Sequence, residues 1–253
     1  MLSRSLFSGV PFLALVMTSV MSMGCELFDM KTTLAGLGPT LARVEVDLDA
    51  EPMVHLMLPA SDGACEAITN DVKASVNDRQ MDLFKRGGEE PSQGAWVCGP
   101  PTFRRALGAD DLTTNPTVFR VEDRTAKIHI EVDGLLAERT IAIDTPDGFF
   151  TAGTETHVSW SAELDELDAA DMDVEIVYED PALVLPAPAS FRLDAGSIFV
   201  KVAPSSPPGK ATLRINATVG TPVVVCEGAK SCEAKVMLKT ELPLDIVAPG
   251  TTP

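Results

Sequence analysis

At 253 residues the chain has room for one large domain or two ordinary ones. Its 37 Asp and Glu against 20 Lys and Arg give a net charge of −17, a surface that repels phosphate backbones and makes nucleic acid an unsuitable partner. The three histidines lie far apart and no Cys-x-x-Cys occurs, which argues against the familiar zinc frameworks.

The first element is the opening segment. Arg4 and the amino terminus supply a short positive region. Val10-Pro11-Phe12-Leu13-Ala14-Leu15-Val16-Met17 is an apolar stretch, and small residues precede Cys25. That order is the pattern of a removable secretory signal. The alternative is an uncleaved anchor, since Ser5–Gly24 is free of charge and about 20 residues span a bilayer. Four Ser, a Thr, a Pro and two Gly dilute that stretch and favour a signal. Val20-Met21-Ser22-Met23-Gly24-Cys25 resembles the lipobox of bacterial lipoproteins. The resemblance implies cleavage after residue 24, acylation of Cys25 and attachment to a lipid bilayer in the cell envelope. Glu26, in place of an Asp, tilts the expected address towards the outer membrane.

Residues 25–40 are expected to form a lipidated tether, halted by Gly36-Leu37-Gly38-Pro39. From residue 41 the texture is β. Ala42-Arg43-Val44-Glu45-Val46-Asp47-Leu48-Asp49 alternates apolar and charged residues, placing Val44, Val46 and Leu48 on one face. Further strands are expected at 53–58, 74–76, 117–121, 126–132 and 139–143. Short helical turns are expected near Glu66–Asn70 and Phe103–Leu107, and a loop at Arg86-Gly87-Gly88-Glu89-Glu90-Pro91. Short strands punctuated by Pro, Gly, Asp and Asn read as a β-sandwich over 41–145, Ig-like by texture alone, the first of two such expected domains.

Thr145-Pro146-Asp147-Gly148 marks the expected boundary. A second strand series follows at 155–161, 172–178, 197–202, 210–217 and 242–247. Thr156-His157-Val158-Ser159-Trp160-Ser161 resembles the Trp-bearing strand of bacterial immunoglobulin-like modules. The run from Val200 to Ile215, with its Pro207-Pro208-Gly209 turn, is similar to their strand–turn–strand signature. The resemblance implies an all-β chain with an Ig-like β-sandwich over 146–248, Trp160 in its core, and a tail at 249–253.

Setting Cys25 aside for lipidation leaves Cys65, Cys98, Cys226 and Cys232, an even set suited to an oxidising compartment. Three connectivities are open to four cysteines, and nearness in sequence favours Cys65 with Cys98 and Cys226 with Cys232. Pro222-Val223-Val224-Val225 and Ala234-Lys235-Val236-Met237-Leu238, separated by a Gly-containing turn, read as a hairpin pinned by the second bridge.

For chemistry, the chain has no Gly-x-Ser-x-Gly, His-Glu-x-x-His or Ser-x-x-Lys, so no enzyme is expected and no cofactor is required. His55, His129 and His157 sit in strand patterns, where a cross-strand partner is the ordinary reading. Asp165, Glu166, Asp168, Asp171 and Asp173 crowd an expected loop, and such a set of oxygens suits calcium; a solvated acidic loop is the alternative. Trp96 is the candidate ligand contact, set against the preferred alternative of packing on the neighbouring disulfide. The expected function is a lipid-anchored, non-catalytic envelope module that binds a protein or a glycan. The alternative is an accessory subunit of an envelope enzyme or transport complex.

Overall fold

Alternating burial drives this chain into pleated strands wherever one face meets the core. The computed structural model describes residues 31–38, 41–48, 51–59, 65–92, 95–108, 111, 115–145, 148–161, 165–194 and 196–250. The expected signal at 1–24, Cys25 and the end of the tail lie outside them.

The first half contributes β1 (Lys31–Thr32), β2 (Leu41–Asp47), β3 (Met53–Met57), β4 (Ala67–Ile68), β5 (Lys73–Val76) and β6 (Arg79–Lys85). It continues with β7 (Gly88–Ser92), β8 (Ala95–Gly99), β9 (Thr102–Ala106), β10 (Thr117–Glu122), β11 (Lys127–Val132) and β12 (Ile141–Ile143). The second half contributes β13 (Phe149–Thr151), β14 (Glu155–Trp160), β15 (Met172–Tyr178), β16 (Ser190–Asp194), β17 (Ser197–Lys201), β18 (Gly209–Gly220), β19 (Val223–Glu227) and β20 (Ser231–Val247).

The chain is all-β. One path of hydrogen-bonded neighbours runs β15-β18-β20-β2-β3-β9-β6-β5-β10-β11-β19, with β13 also beside β20. A four-stranded sheet, β12-β14-β17-β16, supplies the second layer of the C-terminal half. In the N-terminal half β6 turns the corner between layers. Arg79–Met81 pair with β5, while Asp82–Lys85 pair with β9 across a register shift.

β20 is the shared element. At 17 residues it spans roughly 55 Å. Its first part pairs in parallel with β2 (Leu41↔Ser231 to Asp47↔Met237), and its last three residues pair in parallel with β13. β18 lies along its other edge, from Gly209↔Ile246 to Gly220↔Lys235. Ala234, Val236, Leu238, Leu244 and Ile246 all bury the same face. Phe103, Phe119, Phe150, Leu213 and Ile215 are fully buried in a core continuous with them. Burial of each such side chain is worth about 1.5–3 kcal/mol.

Three pairings cross the boundary expected at 145/146: β2 with β20, β11 with β19, and β12 with β14. The last strands of the chain therefore complete the sheets of its first half. Both expected helical turns are strands. Residues 66–70 hold β4, and 103–106 fall on β9, where Phe103 is buried and Arg104 exposed between β3 and β6. The expected loop at 86–91 is largely β7, hydrogen-bonded to β8. The expected tether is docked from Lys31 onward, with Leu34 and Leu37 buried.

The expected hairpin at 223–238 also differs. β19 pairs with β11 and β20 with β2, on opposite layers, because each strand extends an alternating partner already in place. The Cys226–Cys232 bridge, with Cα atoms 5.8 Å apart, thus ties together two strands that are separate in the sheet path. Gly228 sits in this corner at φ 77°, where a Cβ would run into the Lys127 carbonyl.

Candidate functional site

A concavity lies along β15. This strand ends the sheet path, so among the described residues its outer edge has no strand partner. Met172, Val174, Ile176 and Tyr178 bury one face, and Asp173 and Glu175 point outward. The chain then runs through Glu179–Ala189 to β16, at the edge of the other layer. Pro181, Pro186 and Pro188 cannot donate to a ladder, so this connection stands off the edge instead of zipping onto it. Asp180 fixes its start, accepting from Ala182 N at 2.9 Å through Oδ1 and from Leu183 N at 3.0 Å through its carbonyl.

Leu183 packs over Gly209, where a Cβ would meet Leu183 Cδ1 at 2.8 Å. The Tyr178 hydroxyl donates to Pro207 O at 2.6 Å, and burial pushes its pKa above the usual tyrosine value. What remains between strand and connection is a groove of about 700 Å³, lined by Glu175, Val177, Leu185 and Pro188 and with Val184 73 % exposed at its lip. An open strand edge with apolar walls and carboxylates at the rim suits an extended polypeptide bearing apolar and basic side chains. Sequence reasoning missed this groove; the Pro-Ala-Leu-Val-Leu-Pro run between two strands was its signal.

The candidate calcium ligands are separated by the fold. Asp165 is withdrawn into the body, where Arg139 donates to it twice at 2.8 Å, from Nε to Oδ2 and from Nη2 to Oδ1. Trp160 Nε1 donates to the same Oδ2 at 2.9 Å. The side chains of the ion pair are 4 % and 1 % exposed. Arg139 also reaches the carbonyls of Leu135 and Ala137, so the cation is satisfied on several sides. Glu166 joins Gly220 through the backbone, and Asp168 caps a 3-10 turn at Ala169–Asp171 by accepting from Ala170 N. Asp171 is exposed, and Asp173 belongs to β15. Among the described residues no three His, Cys, Asp or Glu side chains are grouped to hold a metal. Arg139, distant in sequence from the acidic run, is the residue that reorganises it.

Trp96 is not buried. It is 66 % exposed, on a β7–β8 hairpin in which every side chain given a position is exposed or half-exposed except Gly88. The four body cysteines pair as Cys65–Cys98 and Cys226–Cys232, with Cα separations of 5.2 and 5.8 Å. The histidines have local partners. His157 Nδ1 lies 2.6 Å from Asp144, His129 Nε2 lies 3.0 Å from Glu131, and His55 stands edge-on to Phe84. On the four-stranded sheet, hydrogen bonds from Arg192 hold the Glu155 carboxyl below its usual pKa, and the guanidinium covers Phe199 at 4.1 Å.

No family model matches the chain, and no curated protein matches it. Among solved structures it is similar to domains 4–9 of the surface layer protein SbsC, at 14 % identity and a TM-score of 0.26. That alignment covers 82 % of this chain, which spans 30 % of the SbsC chain. The titin Ig tandem A164–A165 is similar at 9 % identity and a TM-score of 0.22, over 83 % of this chain and 93 % of titin's. The collagen adhesin CNA from S. aureus is similar at 9 % identity and a TM-score of 0.16, over 85 % of this chain and 98 % of its own. Scores this low do not establish a common fold, and the all-β assignment rests on the chain's own sheets.

Proposed function

We propose that this protein is a lipid-anchored, non-catalytic binding module of the bacterial cell envelope. In this reading acylated Cys25 holds it to a membrane, the outer membrane by preference, and the groove beside β15 receives an extended segment of an envelope protein. The observation that carries the reading is the cysteine set. All four body cysteines form disulfides, which require an oxidising compartment, and Cys25 is left as the odd thiol behind a signal-like segment. The groove supports binding over catalysis. Its polar groups are two outward carboxylates and a tyrosine already committed to a backbone carbonyl, with no nucleophile and base in contact.

The test is metabolic labelling with an alkyne fatty acid in a bacterial host. Label and membrane association should both disappear in Cys25→Ser, while the disulfide-bonded body still folds and is exported. A native amino terminus at Met1 with an unmodified Cys25 thiol would refute the reading.

A further inference from the structure

The body begins close to the residue proposed to carry the lipid. β1 pairs with β4, Lys31 opposite Ala67 and Thr32 opposite Ile68. Leu34 N then donates to Asp123 Oδ2 at 2.7 Å, and Leu34 and Leu37 are buried. Five residues, 26–30, separate Cys25 from Lys31. Even fully extended, that span reaches only about 20 Å.

Strand polarity fixes which side of the body this short span leaves from. β1 and β4 are parallel, so the chain before Lys31 departs on the side of Glu66 and Cys65, which precede Ala67. Gly87 bridges Ala67 in the antiparallel sense, and Ile68 N donates to Arg86 O at 2.9 Å. Chain running forward from Gly87 therefore departs on that same side. What runs forward from Gly87 is the β7–β8 hairpin. Its base lies two strand spacings, roughly 10 Å, from Lys31, and its five-residue strands reach roughly 17 Å further.

The base is fixed. Gly87 has φ 82°, and a Cβ there would lie 2.6 Å from Pro101 Cδ and 2.8 Å from Glu66 O. The Cys65–Cys98 bridge holds the returning strand to the residue just before Glu66. The start of β8 is apolar. Trp96 is 66 % and Val97 45 % exposed, Pro91 stands across from Trp96, and the sequence from Pro91 to Val97 carries no charge. Charge returns immediately below Trp96, with Glu90 opposite Val97 and Glu89 opposite Cys98.

We propose that this tip is a membrane contact: Trp96 and Val97 enter the interfacial layer of the same bilayer that holds acylated Cys25. The proposal rests on the anchored reading given above. Lipid span and hairpin have matching reach on one side of the body, so the anchor delivers the tip to the surface. Tryptophan prefers the membrane–water boundary, where its ring is apolar and its N–H stays wet. Glu90, across from Val97, limits the depth to the interfacial layer, since a carboxylate does not enter hydrocarbon without large cost.

The experiment uses the full mature chain, purified acylated and reconstituted into vesicles of phosphatidylethanolamine and phosphatidylglycerol, with and without brominated acyl chains. The chain has two tryptophans, and Trp160 is held in the body by Asp165. Wild-type emission should shift to the blue on reconstitution and lose the Trp96 share to bromine. Trp96→Phe should abolish both effects with an unchanged melting temperature. Emission that is unquenched in protein whose Cys25 acyl mass is verified overturns the membrane contact and leaves the anchor standing. A blue shift in native membranes without bromine quenching overturns it in favour of a protein partner. An unmodified Cys25 mass, with failure to float with the vesicles, overturns the anchored reading itself.

Discussion

Two regions invert what their sequences announce. The acidic run from Asp165 to Asp173 has the composition of a solvated loop, yet its first carboxylate is the most deeply buried ion of an Arg139–Asp165–Trp160 lock between the two halves. The β7–β8 hairpin has a tryptophan two residues from a disulfide, the composition of a small core, yet it stands out in solvent. The difference lies in the partners. Asp165 meets a cation that can donate in parallel from two nitrogens, and a paired carboxylate can be buried where a lone one cannot. Trp96 lies on a ribbon that has no third strand among the described residues, and its ring stays 66 % exposed.

Substitutions at these sites should separate the regions by size of effect. Asp165→Ala leaves Arg139 buried without its counter-ion and should lower unfolding stability by about 3–5 kcal/mol in a denaturant titration. An effect below about 1 kcal/mol would place the ion pair in solvent and erase the contrast. Cys65→Ala with Cys98→Ala opens a loop of sequence separation 33, for which chain entropy gives about 4 kcal/mol. The same argument gives only about 2 kcal/mol for Cys226 and Cys232, separated by 6. Amide exchange should then show the first pair releasing the β7–β8 ribbon and the second loosening β11, β19 and β2 together.

Asp168→Ala removes a cap on one short turn and should cost about 1 kcal/mol or less, although it belongs to the same acidic run as Asp165. Trp96→Ser should change stability by less than about 0.5 kcal/mol, as expected of a surface site. A larger loss in thermal melts would mean that the ring packs on the body. A pH titration adds a further contrast at the docked amino-terminal strand. Burial pushes the Asp123 carboxyl up, but hydrogen bonds from the backbone of Leu34, Thr125 and Ala126 and from the Thr125 hydroxyl outweigh it and leave the pKa lowered. Its contribution is present above the ordinary carboxylate pKa and is lost as pH falls through the lowered folded value. The Leu34 amide resonance should therefore move to a solvent-exposed position in acid, before the core unfolds, and Asp123→Ala should produce that shift at neutral pH.

Strands that bury one face were legible in sequence. β2, β3, β10, β11, β15, β17 and β18 all follow their apolar alternation. β7 and β9 were not, for opposite reasons. Gly88-Glu89-Glu90-Pro91 has no apolar face because the ribbon has no core to meet. Phe103-Arg104-Arg105-Ala106-Leu107 is too short to distinguish a period of two from a helical turn until Phe103 finds β3 and β6. The separation of β19 from β20 was invisible because the strands that claim them are far away, with Cys226 opposite Ile130 and Cys232 opposite Ala42. Likewise, nothing around Asp165 announces Arg139, 26 residues earlier.

The shared strand β20 has a consequence for biosynthesis. A chain made amino terminus first produces β2 some 190 residues before the Ser231–Met237 segment that pairs with it, so that edge of β2 stays open until those residues have been made. Closure of the amino-terminal half must wait for Ser231–Met237, and distant pairings of this kind slow folding and leave nascent strands open to aggregation. A truncation that stops before residue 231 therefore deprives both halves at once and leaves two unfinished sheets.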